Sequence, residues 1–166
     1  MKNPYQITKE ALQCLGGKFD SRLALQMLLA IGFQESGFVY RKQVKGPAVG
    51  FWQFEKGGGI FGVITHRSSK GLALILFDEF KLGNSKKLRR SIIMDKLYSA
   101  FQKEEFDLLT ACYARLLLWT HPKALPTNKE EAWEYYLDVW RPGKPHRNRW
   151  DQNWEKAIEQ IAENEA

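Results

Sequence analysis

Leu23-Ala24-Leu25-Gln26-Met27-Leu28-Leu29-Ala30-Ile31-Gly32-Phe33 runs without a charge into Gln34-Glu35-Ser36-Gly37-Phe38. The run reads as a helix that opens into a loop between Glu35 and Gly37. On that helix Leu28, Ile31 and Glu35 share a face by three- and four-residue spacing. The Glu35 carboxyl therefore lies beside apolar side chains, where its ionised form is disfavoured. A carboxylic acid kept protonated near neutral pH can serve as a general acid, so Glu35 is the leading catalytic candidate.

Working outward, Asp20-Ser21 offers an N-cap for this helix, and Gly16-Gly17 ends a short amphipathic helix over residues 9–15. Residues 39–59 are rich in Gly, Pro, aromatic and basic residues and read as a shaped loop with short β-like pieces at most. Gly57-Gly58-Gly59 lacks both a preceding strand and a following Gly-Lys-Ser/Thr, so it reads as a turn rather than a phosphate loop. A helix begins near Ile60, Ser68-Ser69 can cap another through Phe80, and residues 88–101 and 106–119 have helical apolar spacing. The last of these is apolar nearly all round, as a central helix is. Pro122 and Pro126 break it; Thr127-Asn128 starts a helix with Trp133, Tyr136, Leu137 and Trp140 on one face. Residues 141–146 must be a loop, and residues 150–162 form a last amphipathic helix. With almost no alternating pattern, no repeat and no linker, residues 1–166 are expected to form one mostly α domain.

A hydrophobic content of 44%, with six Trp, ten Phe and six Tyr, is ample for one packed core. No segment approaches the roughly 18 apolar residues of a membrane span. The N-terminus lacks the layout of a signal peptide, so synthesis in the cytoplasm without a leader is expected. Cys14 and Cys112 are too few for a disulfide scaffold and read as two core thiols. His66, His121 and His146 are scattered, which argues against a metal site, and no cofactor is called for. The net charge of +6 favours a polyanionic partner: nucleic acid, membrane surface or acidic bacterial wall.

Glu35-Ser36 is followed by Gly46-Pro47-Ala48-Val49-Gly50-Phe51-Trp52-Gln53-Phe54. This combination resembles the signature of lytic transglycosylases and goose-type lysozymes, in the lysozyme superfamily. There a Glu-Ser pair ends a helix, and a Gly-Ala-x-Gly-x-x-Gln stretch lines the sugar cleft. Pro47 is inserted here, while Ala48, Gly50 and Gln53 keep the expected relative spacing. The resemblance covers residues 31–55 and implies a lysozyme-like fold: a central apolar helix and a small loop or β-like region lining the cleft. It implies cleavage of the β-1,4 bond between N-acetylmuramic acid and N-acetylglucosamine in peptidoglycan, with Glu35 as acid. In a transglycosylase the same Glu35 then acts as base on the muramic 6-hydroxyl. Compact proteins of this kind resemble phage-encoded ones, carried in the virion or released to the wall, with glycan strands and virion proteins as partners.

Hydrolysis usually needs a second carboxylate. Glu55 is the best candidate, ahead of Asp78, Glu79 and Asp95; its bland reading is a solvated charge beside Lys56. Gln53 can bond sugar hydroxyls or acetamido groups, or else stabilise the loop. Ser36 either hydrogen-bonds near the helix end and orients Glu35, or is a plain polar residue at the helix C-terminus. Either Phe51 or Trp52 can serve as a sugar platform, although most aromatics in such a domain are core. The resemblance also implies a tyrosine from a later helix beside the acid; Ala111-Cys112-Tyr113-Ala114 matches that motif in part, with Ala114 in place of its Asn, so Tyr113 is either that contact or a core tyrosine of an apolar helix. Arg141, Lys144, His146, Arg147 and Arg149 gather around a Pro-rich loop beside Trp140 and Trp150, a patch suited to carboxylates or phosphates.

Two other classes remain open. One is an inactive virion or wall-binding component with the same fold. The other is a basic nucleic-acid-binding domain, to which the net charge and the run Lys86-Lys87-Leu88-Arg89-Arg90 point; that run is more simply a solvated helix start, and no nucleic acid is expected.

Overall fold

The computed structural model describes residues 2–166, and among these the chain is mostly helical, with eight α-helices and no sheet. Helix α1 (Pro4–Leu15) starts five residues before its apolar pattern suggested. The Asn3 side chain accepts from Gln6 N, and the Gln6 side chain accepts from Asn3 N, with Pro4 filling the first turn. This reciprocal cap satisfies amide groups that the helix itself cannot. Helix α1 stops at Gly16, whose φ of 66° favours glycine. Its buried face is Ile7, Thr8, Ala11 and Leu12, so Cys14 falls off the stripe and is exposed. Cys112 alone is a core thiol, pushed up in pKa by burial.

Helix α2 (Arg22–Glu35) begins under a Ser21 cap, whose Oγ accepts from Ala24 N at 3.1 Å, and ends at the expected acid. Ser36 N and Gly37 N both close on Gly32 O. Phe38, at φ 58°, then turns the chain back, and its ring lies so close to Gly32 that a Cβ there would meet it at 2.1 Å. The helix packs against α1, α6 (Asp107–Trp119) and α8 (Arg147–Glu165). Eleven of the thirteen residues of α6 are buried, as its all-round apolar pattern implied.

The middle of the chain is broken into short pieces. A wide turn over Lys56–Ile60 leads into α3 (Phe61–Thr65), followed by α4 (Lys70–Glu79) and α5 (Arg90–Ala100). Ser69 precedes α4 but does not cap it; its Oγ donates instead to Val63 O at 2.7 Å, fastening the two helices together. Asn128 caps α7 (Lys129–Trp140) through a bond from Glu131 N. Helix α8 overruns the expected 150–162 at both ends because it has partners there. Arg147 pairs with Asp151, and Glu165 receives bonds from Arg22 and Tyr5. One hydrophobic cluster draws side chains from all eight helices.

The shaped loop, expected over residues 39–59, runs over residues 36–54, with a helical turn at Lys56–Ile60, and is held by isolated antiparallel bridges Lys42–Val49 and Val49–Phe54 rather than by a sheet. Arg41 anchors it with a fork onto Asp107, Nε to Oδ1 at 2.8 Å and Nη2 to Oδ2 at 2.7 Å. Its guanidinium lies 4.4 Å from the centre of the Phe51 ring. At the tip, Gly50 has φ 78°, and a Cβ there would lie 2.8 Å from Thr110 Cγ2 on α6. Gly50→Ala should therefore destabilise the fold by about 2 kcal/mol in denaturant titration; wild-type stability in this variant would contradict the tight loop-to-α6 contact.

Candidate active site

Three hydrogen bonds weld the loop to the helices and open a cleft beside Glu35. Ser36 Oγ donates to Phe51 O at 2.6 Å, Trp52 Nε1 to Leu28 O at 2.8 Å, and Trp140 Nε1 to Trp52 O at 2.8 Å. Tyr98 secures the far lip through Pro47 O at 2.7 Å. The opposite lip, residues 141–146, is tied to α2 by Gln34 Nε2 donating to His146 O at 3.0 Å. Asn153 of α8 holds that Gln34 in place with a bond of 2.7 Å to its Oε1. Between the lips is a cleft of about 600 Å³ that includes Glu35, Gln53, Glu55, Tyr136 and Trp140 in its lining, a size suited to a small ligand or a short oligomer segment.

Glu35 is partly buried at the last residue of α2, and its pKa is raised from 4.5 to about 7. Burial is the main cause, the hydrogen bond from Tyr136 opposes it, and the nearby charge of Glu55 adds to it. The helix C-terminus, with its partial negative charge, works in the same direction as burial. Tyr136 Oη donates to Glu35 Oε1 at 2.6 Å. That bond occupies one carboxyl oxygen as an acceptor, leaving Oε2 to carry the acid proton. Tyr136 is fixed by stacking on Trp150, with ring centres 5.3 Å apart and planes 9° from parallel. Tyr40 Oη donates to the Glu35 backbone carbonyl at 3.1 Å, bracing the helix end.

The candidate residues divide sharply. Glu35, Gln53 and Glu55 all line the cleft. Ser36 is buried, donates to Phe51 O and accepts from Phe38 N, so it positions the loop against the helix end. Gln53 has φ 53° and sends its Nε2 back to Gly50 O at 2.9 Å. Its Oε1 accepts no bond from the protein and is not enclosed, so it can receive a ligand N–H or O–H. The loop-stabilising and ligand-facing readings of Gln53 thus hold together on different atoms.

Trp52 is not a platform: it is wholly buried, with its indole N–H on Leu28 O. Phe51 is also enclosed, beneath Arg41. Trp140, partly exposed on the cleft wall, is the aromatic surface that a ligand can reach. Tyr113 is likewise a core residue; it is wholly buried and donates to Ala73 O at 2.7 Å, so it cannot approach Glu35. Tyr136 of α7 takes the position beside the acid. In the sequence it lay within an aromatic stripe indistinguishable from core, and only its spacing from Trp140 placed the two on one face.

The basic patch partly reaches the cleft. Arg141, Lys144, His146 and Arg149 line it, joined by Lys45 from the other lip. Arg147 turns away to Asp151 at 2.7 Å and lies over Trp133. Glu35 and Glu55 thus share one cleft with a cationic rim of Lys45, Arg141, Lys144 and Arg149. Among the described residues no three His, Cys, Asp or Glu side chains converge on a metal position. Comparison of the chain with protein-family models, characterised proteins and solved structures gave no match.

The raised pKa of Glu35 carries a stability consequence. The folded carboxyl keeps its proton up to about pH 7, whereas the unfolded one releases it near 4.5. The folded state therefore binds more protons in that window, so the stabilisation present below 4.5 is lost as pH rises through about 7. Glu35→Gln, which cannot ionise, should be more stable than the wild type by about 3 kcal/mol at pH 8.5. Urea denaturation should show the gain shrinking toward pH 4; a pH-independent difference would contradict the buried-acid account.

Proposed function

We propose that the chain is a lysozyme-like peptidoglycan glycosidase that cleaves the β-1,4 bond between N-acetylmuramic acid and N-acetylglucosamine, with Glu35 as its acid/base. The observation that carries this reading is the Glu35 carboxyl, raised by burial to a pKa of about 7 and gripped on one oxygen by Tyr136, at the wall of an open cleft. The Glu35-Ser36 and Ala48-x-Gly50-x-x-Gln53 pattern, gathered around that cleft, supports the same assignment. As the glycosidic C–O bond breaks, Glu35 gives its proton to the leaving oxygen and the muramic ring takes up oxocarbenium character. The resulting carboxylate then accepts the proton of the muramic 6-hydroxyl while that oxygen bonds to the anomeric carbon, closing a 1,6-anhydro ring.

In this scheme Glu55 does not bond to the sugar. Its negative charge favours the protonated form of Glu35 and stabilises the cationic ring. Gln53 Oε1 receives a sugar hydroxyl or acetamido N–H, and Trp140 supplies an aromatic surface. The activity fits a phage-encoded protein that works from the virion or at lysis. A non-enzymatic wall-binding role is the competing reading, and the cationic rim is the observation that favours it.

Glu35→Gln should abolish clearing of purified sacculi while leaving binding and folding intact; clearing at the wild-type rate would remove the assignment. Glu55→Gln should slow the reaction without abolishing it, and mass spectrometry should find released muropeptides lighter by one water than hydrolysis products. Tyr136→Phe removes the bond that favours the ionised acid. Its alkaline activity limb should therefore move to higher pH, with a rate lowered by about tenfold, and an unmoved limb would exclude Tyr136 from contact with the acid.

A further inference from the structure

Remote from Glu35 in the chain, α6 carries a charge that the proposed chemistry does not use. Arg115 is only 3% exposed. Its Nε donates to Phe19 O at 2.8 Å, and Nη2 makes a long contact of 3.5 Å with Lys18 O. The guanidinium lies over two rings, 5.7 Å from the centre of Phe19 and 5.4 Å from that of Trp119. No carboxylate among the described residues pairs with it.

A buried arginine is ordinarily matched by an acid, because carbonyl dipoles and ring faces solvate the cation without cancelling its charge. Burial accordingly holds this guanidinium below the ordinary arginine range. Its Nη1 donates to no protein atom and is not enclosed, so those N–H groups face open space.

That space is a second pocket, of about 490 Å³, and its lining contains no Asp or Glu. Lys18 and Lys123 add two more cations, while Trp119, Leu118 and Leu125 supply apolar wall. His121 is also present, but its Nε2 lies 3.2 Å from Asp138, which already answers it. The pocket thus combines the unanswered Nη1 donors of Arg115, surplus positive charge and a greasy surface, a pairing that suits neither a bare ion nor a neutral hydrocarbon.

We infer that this pocket binds an amphipathic anion, a carboxylate or phosphate borne on an apolar body. The anionic group pairs with Arg115, Lys18 and Lys123, and the body packs against Trp119 and Leu125. Arginine presents parallel N–H groups that match either oxyanion. The site does not depend on whether the other cleft cleaves glycan.

Calorimetric titration of the full chain with octanoate, octyl phosphate and octanol tests this. At least one of the two anions should bind saturably at one site per chain, and octanol should bind at least about tenfold more weakly. A preference for octanoate identifies a carboxylate ligand; a preference for octyl phosphate identifies a phosphorylated one. Lys18→Glu combined with Lys123→Glu changes two exposed side chains and should leave the melting temperature near that of the wild type, while lowering anion affinity at least about tenfold. This variant also separates the pocket from the cationic rim of the Glu35 cleft, which it leaves untouched. Absence of binding by both anions, equal binding of octanol, or undiminished affinity in the double variant would overturn the inference.

Discussion

The seam between the end of α2 and the loop over residues 36–54 is what the candidate site depends on. Ser36 and Trp52 each donate to a backbone carbonyl across this seam, and Trp140 extends it to α7. These donors come from side chains that are buried or partly buried, so a lost bond would leave a polar group without water. The loop is therefore held in one geometry, even though it has only isolated bridges and no sheet to stiffen it. Its position fixes the cleft; the cleft, in turn, leaves Glu35 partly enclosed instead of fully hydrated.

The electrostatics follow from that enclosure. Burial, a helix C-terminus and the charge of Glu55 all disfavour a carboxylate at position 35, while only Tyr136 favours it. Enclosing an ionisable carboxyl in this way lowers stability above its pKa, and strongly perturbed groups of this kind cluster at functional sites. The arrangement also distinguishes the two carboxyl oxygens: one is committed to Tyr136, and the other is left for the proton.

Much of this was legible in the sequence because it rested on local signals. Ser21 and Asn128 are caps, Gly16 is a stop, and the apolar run ends at Glu35 as its pattern implied. What escaped were matters of three-dimensional direction. One of Phe51 and Trp52 was expected to be a platform because aromatic rings pack on sugar faces, yet with left-handed turns at Gly50 and Gln53 on either side both rings are buried. Tyr113 matched a motif in part, but α6 is enclosed on nearly every side and offers its hydroxyl only to Ala73. Tyr136 lies 101 residues from Glu35 and shares no local pattern with it, so only the packing of α7 could bring the pair together. Cys14 was misplaced by composition; one helical position decided its exposure.

The central claim is that the Glu35 carboxyl stays protonated close to neutral pH. It is tested most directly by following the side-chain carboxyl carbon of Glu35 through a pH titration by NMR, with Glu35→Gln assigning the signal. The account predicts a midpoint near 7, well above the range of ordinary exposed glutamates. A midpoint at or below about 5 would contradict it, since the carboxyl would then be an ordinary solvated anion at the end of a helix.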